Sequence, residues 1–447
     1  MADGSGKGGG GFLQDIVSVS MARVIALAAF LVTNILIARY LGPEGKGLAA
    51  IFTAVPNLVG VIAALGMDKS SAYMIGKQLH GDDAILSGLT IGAAASTLLA
   101  IAISGAYFLA SWGEGYTTLA VTLTMGVVVA VTLQRLMNGV MLGRRLVSLF
   151  SVTRWLPQAL QALVVLATIL LATLAVNDVI IGMLAGCVAA VVYSLIALSR
   201  RISFRFRFDR ACFKLLLTYG VVVAIADFLV FLNYKVQIFA LQAVSTVEQV
   251  GLFALGQNFG ELLWQAPGMM SAVILSRSAN AADPVAFSRK IGVLLRLTLL
   301  VCSALGIMIG VACVIGIPIV FGPAFAPSSL VYFTLLPGVV AIITFKILAS
   351  DLVGQGKARV TALIMAPSVA LNIGLGLALI PLWGAVGAAV AATITYLAIS
   401  VAVVTLYCRK MELPVRAFLT PRAADFTFLA ERAPFLRRLA ARFLRRK

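Results

Sequence analysis

The sequence has little charge and almost no histidine, and it lacks the long polar stretches of a soluble protein. Charged residues make up 12% of its 447 residues and hydrophobic residues 61%, whereas soluble domains carry roughly 25% charge. The mean hydropathy is +1.04. These values exclude an ordinary soluble fold and predict an all-α integral membrane protein with no large domain outside the bilayer.

Residues that carry enzyme chemistry are also scarce. The five cysteines contain no C-x-x-C pair, so neither a disulfide framework nor a zinc site is indicated. The single histidine, His80, lies in a polar loop, where histidine is usually solvated. No Walker loop, nucleophile elbow or H-E-x-x-H motif is present. We therefore expect a protein that is not an enzyme and that uses no metal and no cofactor.

Long apolar runs predict about twelve transmembrane helices, since about 20 apolar residues span a bilayer. Glycine, proline and charged residues mark their ends. The predicted spans lie at about 16–38, 47–66, 84–109, 117–138, 149–175, 178–199, 213–240, 247–275, 290–320, 328–351, 359–380 and 384–408.

The connections between these spans differ in charge. Those on the side of the N-terminus contain most of the basic loop residues, whereas the opposite side has only Arg39 and Lys46. Basic residues concentrate on the cytoplasmic side of membrane proteins. The asymmetry therefore predicts that both the N-terminus and the C-terminus are cytoplasmic.

The second half of the sequence resembles the first at an offset of about 211 residues. The segment that starts at Thr118 aligns with the one that starts at Ser329, which places Arg135 opposite Lys346. Two halves with six spans each have the same orientation, so a parallel pseudo-two-fold repeat is expected. Chance similarity between apolar segments is the alternative explanation.

This pattern predicts five parts of the chain. They are a flexible cytoplasmic N-terminus at 1–11, an N-terminal six-helix bundle at 12–200, a basic cytoplasmic linker at 201–212, a C-terminal six-helix bundle at 213–408 and a basic amphipathic cytoplasmic tail at 409–447.

The tail differs from the rest of the chain in its charge. It has eleven basic and three acidic residues, and Phe435, Leu439 and Phe443 recur every four residues between arginines. This spacing is typical of an amphipathic helix at the surface of an anionic leaflet. We expect anionic inner-leaflet lipids as its partner, and no nucleic acid.

Nine charged residues lie within the predicted spans beyond their first two residues, and a charge at the bilayer centre costs roughly 2.5 to 3.5 kcal/mol. They are Arg23, Arg135, Arg154, Lys235, Arg296, Lys346, Asp227, Glu261 and Asp351. Five of them are predicted near cytoplasmic helix ends: Arg135, Arg154, Arg296, Lys346 and Asp351. For these five, snorkelling of the side chain to the headgroups is the alternative to a functional role.

The other four are expected deeper in the membrane. Arg23 has a small and partly polar helical face, which suits a wet cavity, and Glu261 lies in a polar mid-membrane stretch. Asp227 and Lys235 are eight residues apart and are predicted to share a helical face. Buried ion pairs that hold helices together are one interpretation. The other is a cationic cavity for an anionic substrate, with Asp227 and Glu261 as candidate sites for a coupling proton or Na⁺.

Two segments carry a resemblance to a known family. They are IARYLGPEGKGLAAIFTAVPNLVGVIAALGMDKSSAYMIGK, from Ile37, and VGLFALGQNFGELLWQAPGMMSAVILSR, from Val250. Together with the six-plus-six architecture, they resemble the multidrug/oligosaccharidyl-lipid/polysaccharide (MOP) superfamily, and within it the Wzx-type flippases of bacterial surface-polysaccharide synthesis. The resemblance covers nearly all of residues 12–408.

The resemblance implies two MATE-like six-helix bundles around a central cavity that opens alternately to the two sides of the bacterial inner membrane. The cargo would be an undecaprenyl-diphosphate-linked oligosaccharide, and polysaccharide polymerase machinery would be a partner. The candidate residues for binding the diphosphate and the sugars are Arg23, Arg135, Arg154, Lys235, Lys346, Asn34, Gln237, Gln257 and Asn258.

Two alternatives to a flippase stay open. MATE-type multidrug exporters carry acidic cavities for cationic cargo, and Asp227 with Glu261 would suit such a cation-coupled exporter. A membrane-embedded polymerase or glycosyltransferase would act on the same lipid-linked sugars. Such enzymes usually need a sizeable outer loop with paired carboxylates, and the predicted outer loops here are short.

Overall fold

The computed structural model describes residues 8–111, 116–202, 204–279 and 283–420. No strand occurs within these ranges, and nearly all of their residues are helical. The amphipathic segment predicted in the tail, from Pro434 onward, lies outside the described residues.

Thirteen α-helices occur in the described part of the chain. They are α1 (Gly8–Ala63), α2 (Met67–Lys77), α3 (Asp82–Ala110), α4 (Thr118–Gly143), α5 (Val147–Leu171), α6 (Val176–Ser199), α7 (Arg210–Val244), α8 (Val247–Leu263), α9 (Gln265–Ala279), α10 (Pro284–Val320), α11 (Pro327–Gly354), α12 (Ala358–Lys410) and α13 (Val415–Leu419).

Among the described residues, nine helical segments are long and apolar enough to cross a membrane. Two of them, Met21–Ala63 and Arg359–Lys410, have 43 and 52 residues. At 1.5 Å per residue each is about twice as long as a bilayer core is thick. Each contains one kink, at Gly42 or at Gly384, so each accounts for two of the predicted spans.

Both kinks depend on a glycine, and the second kink also depends on a polar side chain. Gly42 has φ of 67° and Gly384 has φ of 54°, a region that disfavours side chains with a Cβ. At the second kink the backbone N–H of Ala385 donates to Oε1 of Gln249 over 2.8 Å. This hydrogen bond supplies the acceptor that a regular helix would have provided.

The predicted span at 247–275 is divided into α8 and α9. The two helices meet at Trp264, whose backbone N–H donates to the carbonyl of Glu261 over 3.1 Å in a tightened last turn. Pro267 follows in the first turn of α9, where its missing N–H costs least. Together, α8 and α9 account for the remaining predicted span.

Helix α2 was not predicted from the sequence. Its eleven residues have low hydropathy on average, but Met67 and Met74, seven residues apart, are fully buried on one face. This face packs against α4. A Cβ at Gly139 of α4 would lie 2.1 Å from the carbonyl oxygen of Asp68, so the two backbones are in direct contact.

By their internal contacts, the residues form two compact units. Of the described residues, those within 1–254, 316–328 and 376–388 form unit 1, and those within 255–315, 329–375 and 389–447 form unit 2. Within unit 1, Arg39 donates to the carbonyl of Ile319 over 2.7 Å and so binds the end of α10. The five predicted parts of the chain, with the boundary at 201–212, stay a prediction.

The contact between α2 and α4 generates a test of packing. We expect Gly139→Ala to lower stability by about 1 to 3 kcal/mol, because the added methyl group forces the helices apart. Gly374→Ala is the matched control, since no atom lies within 4 Å of a Cβ at that position. The thermal unfolding midpoint in detergent measures both variants. Equal midpoints would contradict the packing argument.

Candidate functional site

Two of the predicted arginines come together in unit 1. Arg23 of α1 is half-buried, and it lies close enough to Arg154 of α5 for the two positive charges to interact. Arg154 is exposed, and its guanidinium carbon lies 5.8 Å from the centre of the Phe150 ring. The helices α1 and α5 therefore concentrate positive charge at one place in unit 1.

A second basic pair forms at the first kink. Lys46 is 5% exposed, and its Nζ donates to Oδ1 of Asn34. Asn34 is also buried, and its Nδ2 donates to the carbonyl of Phe30 over 2.7 Å. The charge of Lys235 on α7 acts on Lys46, so the two lysines are neighbours. Lys46 was expected in an outer connection between spans, and no pattern in the sequence marked it as a site residue.

The kink at Gly42 makes this arrangement possible. Asn34 and Lys46 are twelve residues apart, which is about 18 Å along a straight helix. The reversal at Gly42 and Pro43 lets the second half of α1 fold back onto the first. The hydrogen bond between Asn34 and Lys46 therefore depends on the backbone, and helical periodicity gave no sign of it.

Two further candidates of unit 1 lie on other helices. Gln237 of α7 is buried, and a Cβ at Gly376 of α12 would lie 2.7 Å from its Oε1. Arg135 of α4 is half-buried. Its Nε is buried without a hydrogen-bond partner in the described part of the chain.

The remaining candidates lie in unit 2. Gln257, Asn258 and Glu261 occupy the last two turns of α8, and their spacing of three and four residues places them on one side of that helix. Gln257 is buried, and the other two are half-buried. Lys346 of α11 places its Nζ 4.7 Å from the centre of the Trp264 ring, a cation–π contact.

Asp227 is paired with a basic residue of α2. Its Oδ2 forms an ion pair with Nζ of Lys69, which lies on α2. The two side chains are 32% and 51% exposed. Asp227 therefore takes part in an ion pair that joins two helices, which is one of the two interpretations of the sequence. The partner Lys69 was not expected, because residues 67–77 were predicted to lie in a connection between spans.

Asp351 is fully buried in unit 2 and is bound by neutral donors. Tyr407 donates to its Oδ2 over 2.5 Å, Ser278 to its Oδ1 over 2.5 Å, Gln355 to its Oδ2 over 2.9 Å and Ser288 to its Oδ2 over 3.4 Å. The prediction of a side chain near a helix end is confirmed by its place in the last turn of α11. This Asp351 cluster joins α9, α10, α11 and α12, which indicates a structural role.

Sequence comparisons identify no relative. No protein-family model matches the chain, and no curated protein matches it by sequence.

Comparison of the fold gives matches to solved structures. One is a multidrug resistance MATE family transporter of the MOP superfamily in an inward-facing conformation, with 16% identity, a TM-score of 0.65 and coverage of 89% of this chain and 98% of the other. A second is the lipid II flippase MurJ in an inward closed conformation, with 14% identity, a TM-score of 0.69 and coverage of 91% and 89%.

A third match is a MOP superfamily transporter from Pyrococcus furiosus whose binding pocket is described as having reverse polarity. Its identity is 15%, its TM-score is 0.56, and coverage is 91% of this chain and 96% of the other. The fold is therefore that of MOP superfamily transporters, as predicted, and the chain is a multi-pass membrane protein. The structures that it resembles are transporters and not enzymes.

The buried lysine generates a prediction about stability. We expect Asn34→Leu to destabilise the protein by about 1 to 3 kcal/mol, because Lys46 loses its acceptor inside the protein. The double variant Asn34→Leu with Lys46→Met should recover most of that loss, since no buried ammonium group remains. Thermal unfolding of the wild type, both single variants and the double variant measures the coupling. An additive double variant would show that the hydrogen bond contributes nothing.

Proposed function

We propose that this protein is a flippase of the Wzx type. Its cargo is an undecaprenyl-diphosphate-linked oligosaccharide, which it moves by alternating access from the cytoplasmic to the outer leaflet of the bacterial inner membrane for surface polysaccharide synthesis. The observation that carries the proposal is the set of basic side chains on the helices of unit 1. Arg23 on α1 and Arg154 on α5 are within electrostatic reach of each other, and Lys46 is buried just beyond the kink of α1.

Neighbouring positive charges favour an anionic ligand for an electrostatic reason. Two like charges repel each other, and the repulsion is stronger in the low dielectric of a membrane protein than in water. An anion between them replaces repulsion by attraction. A diphosphate suits this arrangement because arginine binds phosphate oxygens with two parallel hydrogen bonds and lysine adds a point charge.

The amide side chains among the candidates suit the sugars. Asn34, Gln237, Gln257 and Asn258 each present a donor and an acceptor, which match the hydroxyl groups of an oligosaccharide. Arg135 and Lys346 are proposed as further cationic contacts for the head group. Because Asn34 also binds Lys46, it would position that lysine as well as contact a sugar.

The structural matches support a transporter but leave the cargo open. MurJ is described as a lipid II flippase, and the MATE protein as a multidrug resistance transporter. Within the same fold, the Pyrococcus protein is described as having a pocket of reverse polarity and a suggested different function. We therefore use the charge of the site as the guide to the cargo, and the basic residues of unit 1 favour an anion.

A cation-coupled multidrug exporter is the alternative, and Glu261 is the observation in its favour. Its carboxyl lies half-buried beside Gln257 and Asn258 on α8, a polar setting that suits an organic cation. In the flippase, we propose Asp227 and Glu261 as sites for a coupling ion. Lys69 would compete with that ion at Asp227.

The proposed cellular setting follows from the loop charges. Both termini would lie in the cytoplasm, and the diphosphate would be captured from the cytoplasmic leaflet. The polymerase machinery that consumes the translocated oligosaccharide is the proposed protein partner.

The test uses purified protein in proteoliposomes that contain a fluorescent polyprenyl-diphosphate oligosaccharide. We expect Arg23→Ala to slow movement between leaflets at least about tenfold, because the loss of one charge-assisted hydrogen bond costs about 1.5 to 3 kcal/mol. Arg23→Lys should retain an intermediate rate. Arg200→Ala is the control, because Arg200 is an exposed arginine at the end of α6.

A cationic dye offered in parallel separates the two candidate functions. Movement of the lipid-linked sugar that is unchanged in Arg23→Ala would remove Arg23 from the site. Dye transport without sugar movement, lost in Asp227→Asn or Glu261→Gln, would overturn the flippase and establish a cation exporter.

A further inference from the structure

The short helix α13 is held against unit 2 by one aromatic residue. Phe418 is 5% exposed, and its ring centre lies 5.5 Å from that of Tyr407 on α12. Arg296 of α10 donates from Nη1 to the carbonyl of Phe418 over 2.8 Å. Gly292 leaves room for the ring, since a Cβ there would lie 2.7 Å from its Cε2 atom. Arg296 therefore helps to fix α13 to unit 2.

The outer side of α13 is apolar and exposed. Val415 and Leu419 are four residues apart and so lie on the same face, and they are 41% and 38% exposed. Phe418 lies on the face that points into unit 2. The two exposed apolar side chains are thus free to contact a second apolar surface beside α13.

Basic residues surround this helix at the same end of unit 2. Arg289 and Lys290 are exposed at the start of α10, one turn before Gly292. Arg409 and Lys410 are exposed in the last turn of α12, directly before the connection to α13. The exposed acidic residues nearby in the sequence are Glu412 and Asp283.

We propose that α13 lies at the membrane surface and that its flanking residues Arg289, Lys290, Arg409 and Lys410 bind anionic lipid headgroups. We call this the α13 surface. Val415 and Leu419 enter the boundary between headgroups and acyl chains, and the four basic side chains reach the lipid phosphates. Phe418 and Arg296 keep the helix at the protein while it contacts the lipid.

A lipid surface fits this site better than a soluble protein partner. The chain crosses the membrane, so the bilayer surface is already next to the helix ends. Apolar residues flanked by basic ones are typical of interfacial helices on anionic leaflets. The sequence that follows, at 421–447, has eight basic and two acidic residues, and its attraction to such a leaflet would add to that of the α13 surface.

The experiment places an environment-sensitive fluorophore at Leu419→Cys. The five native cysteines are buried within the described part of the chain, so the new thiol is the accessible one. The labelled full-length protein is reconstituted in nanodiscs of phosphatidylcholine, with increasing amounts of phosphatidylglycerol. We expect a blue shift of the emission that grows with the phosphatidylglycerol content, together with quenching by lipids that carry a nitroxide near the headgroup.

Charge variants test the headgroup contacts. Each of the four residues, changed to glutamine, should raise the phosphatidylglycerol content needed for half of the shift by up to about fivefold, from the attraction of one basic residue to an anionic leaflet. Arg200→Gln and Arg201→Gln are the matched controls, because both are exposed basic residues at the end of α6 in unit 1. They should leave the shift unchanged.

Two packing variants test the attachment of α13. Phe418→Ala and Gly292→Ala should both reduce the shift, the first by removing the ring and the second by filling its place. The second variant leaves the sequence of α13 intact. Thermal unfolding of each variant, compared with the Gly374→Ala control, separates local release of α13 from loss of the fold.

Three results would overturn the proposal. The first is a label equally shifted in phosphatidylcholine alone and in the mixture. The second is an unchanged shift after neutralisation of all four basic residues. The third is a label that stays in water in every lipid, which would assign the α13 surface to a protein partner. Free inorganic phosphate at the same concentration should not reproduce the shift. None of these results depends on the transported cargo.

Discussion

The cost of placing polar groups in a low dielectric is the constraint on which this structure depends. A buried polar side chain without a partner costs free energy, because the lipid supplies none. The buried amine of Lys46 has Asn34, the backbone at the second kink has Gln249, and the buried carboxyl of Asp351 has hydroxyl and amide donors. These contacts join the two halves of α1, α8 to α12, and the helices α9 to α12 around Asp351.

The kink at Gly42 brings polar side chains of the candidate site together. A break in a membrane helix frees backbone groups and turns the side chains that follow toward new neighbours. At Gly42 the result is a buried lysine next to Asn34 and close to Lys235. Arg23 lies in the part of the same helix that precedes Gly42, and it is close enough to Arg154 for the two charges to interact. Helix α1 thus contributes a residue to both basic pairs of unit 1. A change in the bend at Gly42 would move Lys46 relative to Asn34.

Helix length and packing define the fold, whereas we infer the cargo from the charge of the site. Apolar helix lengths and packing define the MOP transporter fold, which accommodates both multidrug transporters and a lipid II flippase. The sign of the charge inside each unit bears on the cargo. The ion pair of Asp227 with Lys69 lowers the acidic character of unit 1, which agrees with the anionic cargo that we propose.

The sequence by itself determined the membrane class, the number and approximate bounds of the spans and the scarcity of charge inside them, because hydropathy over about 20 residues depends on composition alone. It also identified Arg23, Arg154 and Lys235 as residues that need an explanation. Only the tertiary structure decided which residues these side chains contact. Lys46 and Asn34 meet through a glycine with positive φ, and Lys69 meets Asp227 across 158 positions of sequence. Such contacts follow from backbone reversals and helix packing, and neither leaves a periodic signal in the sequence.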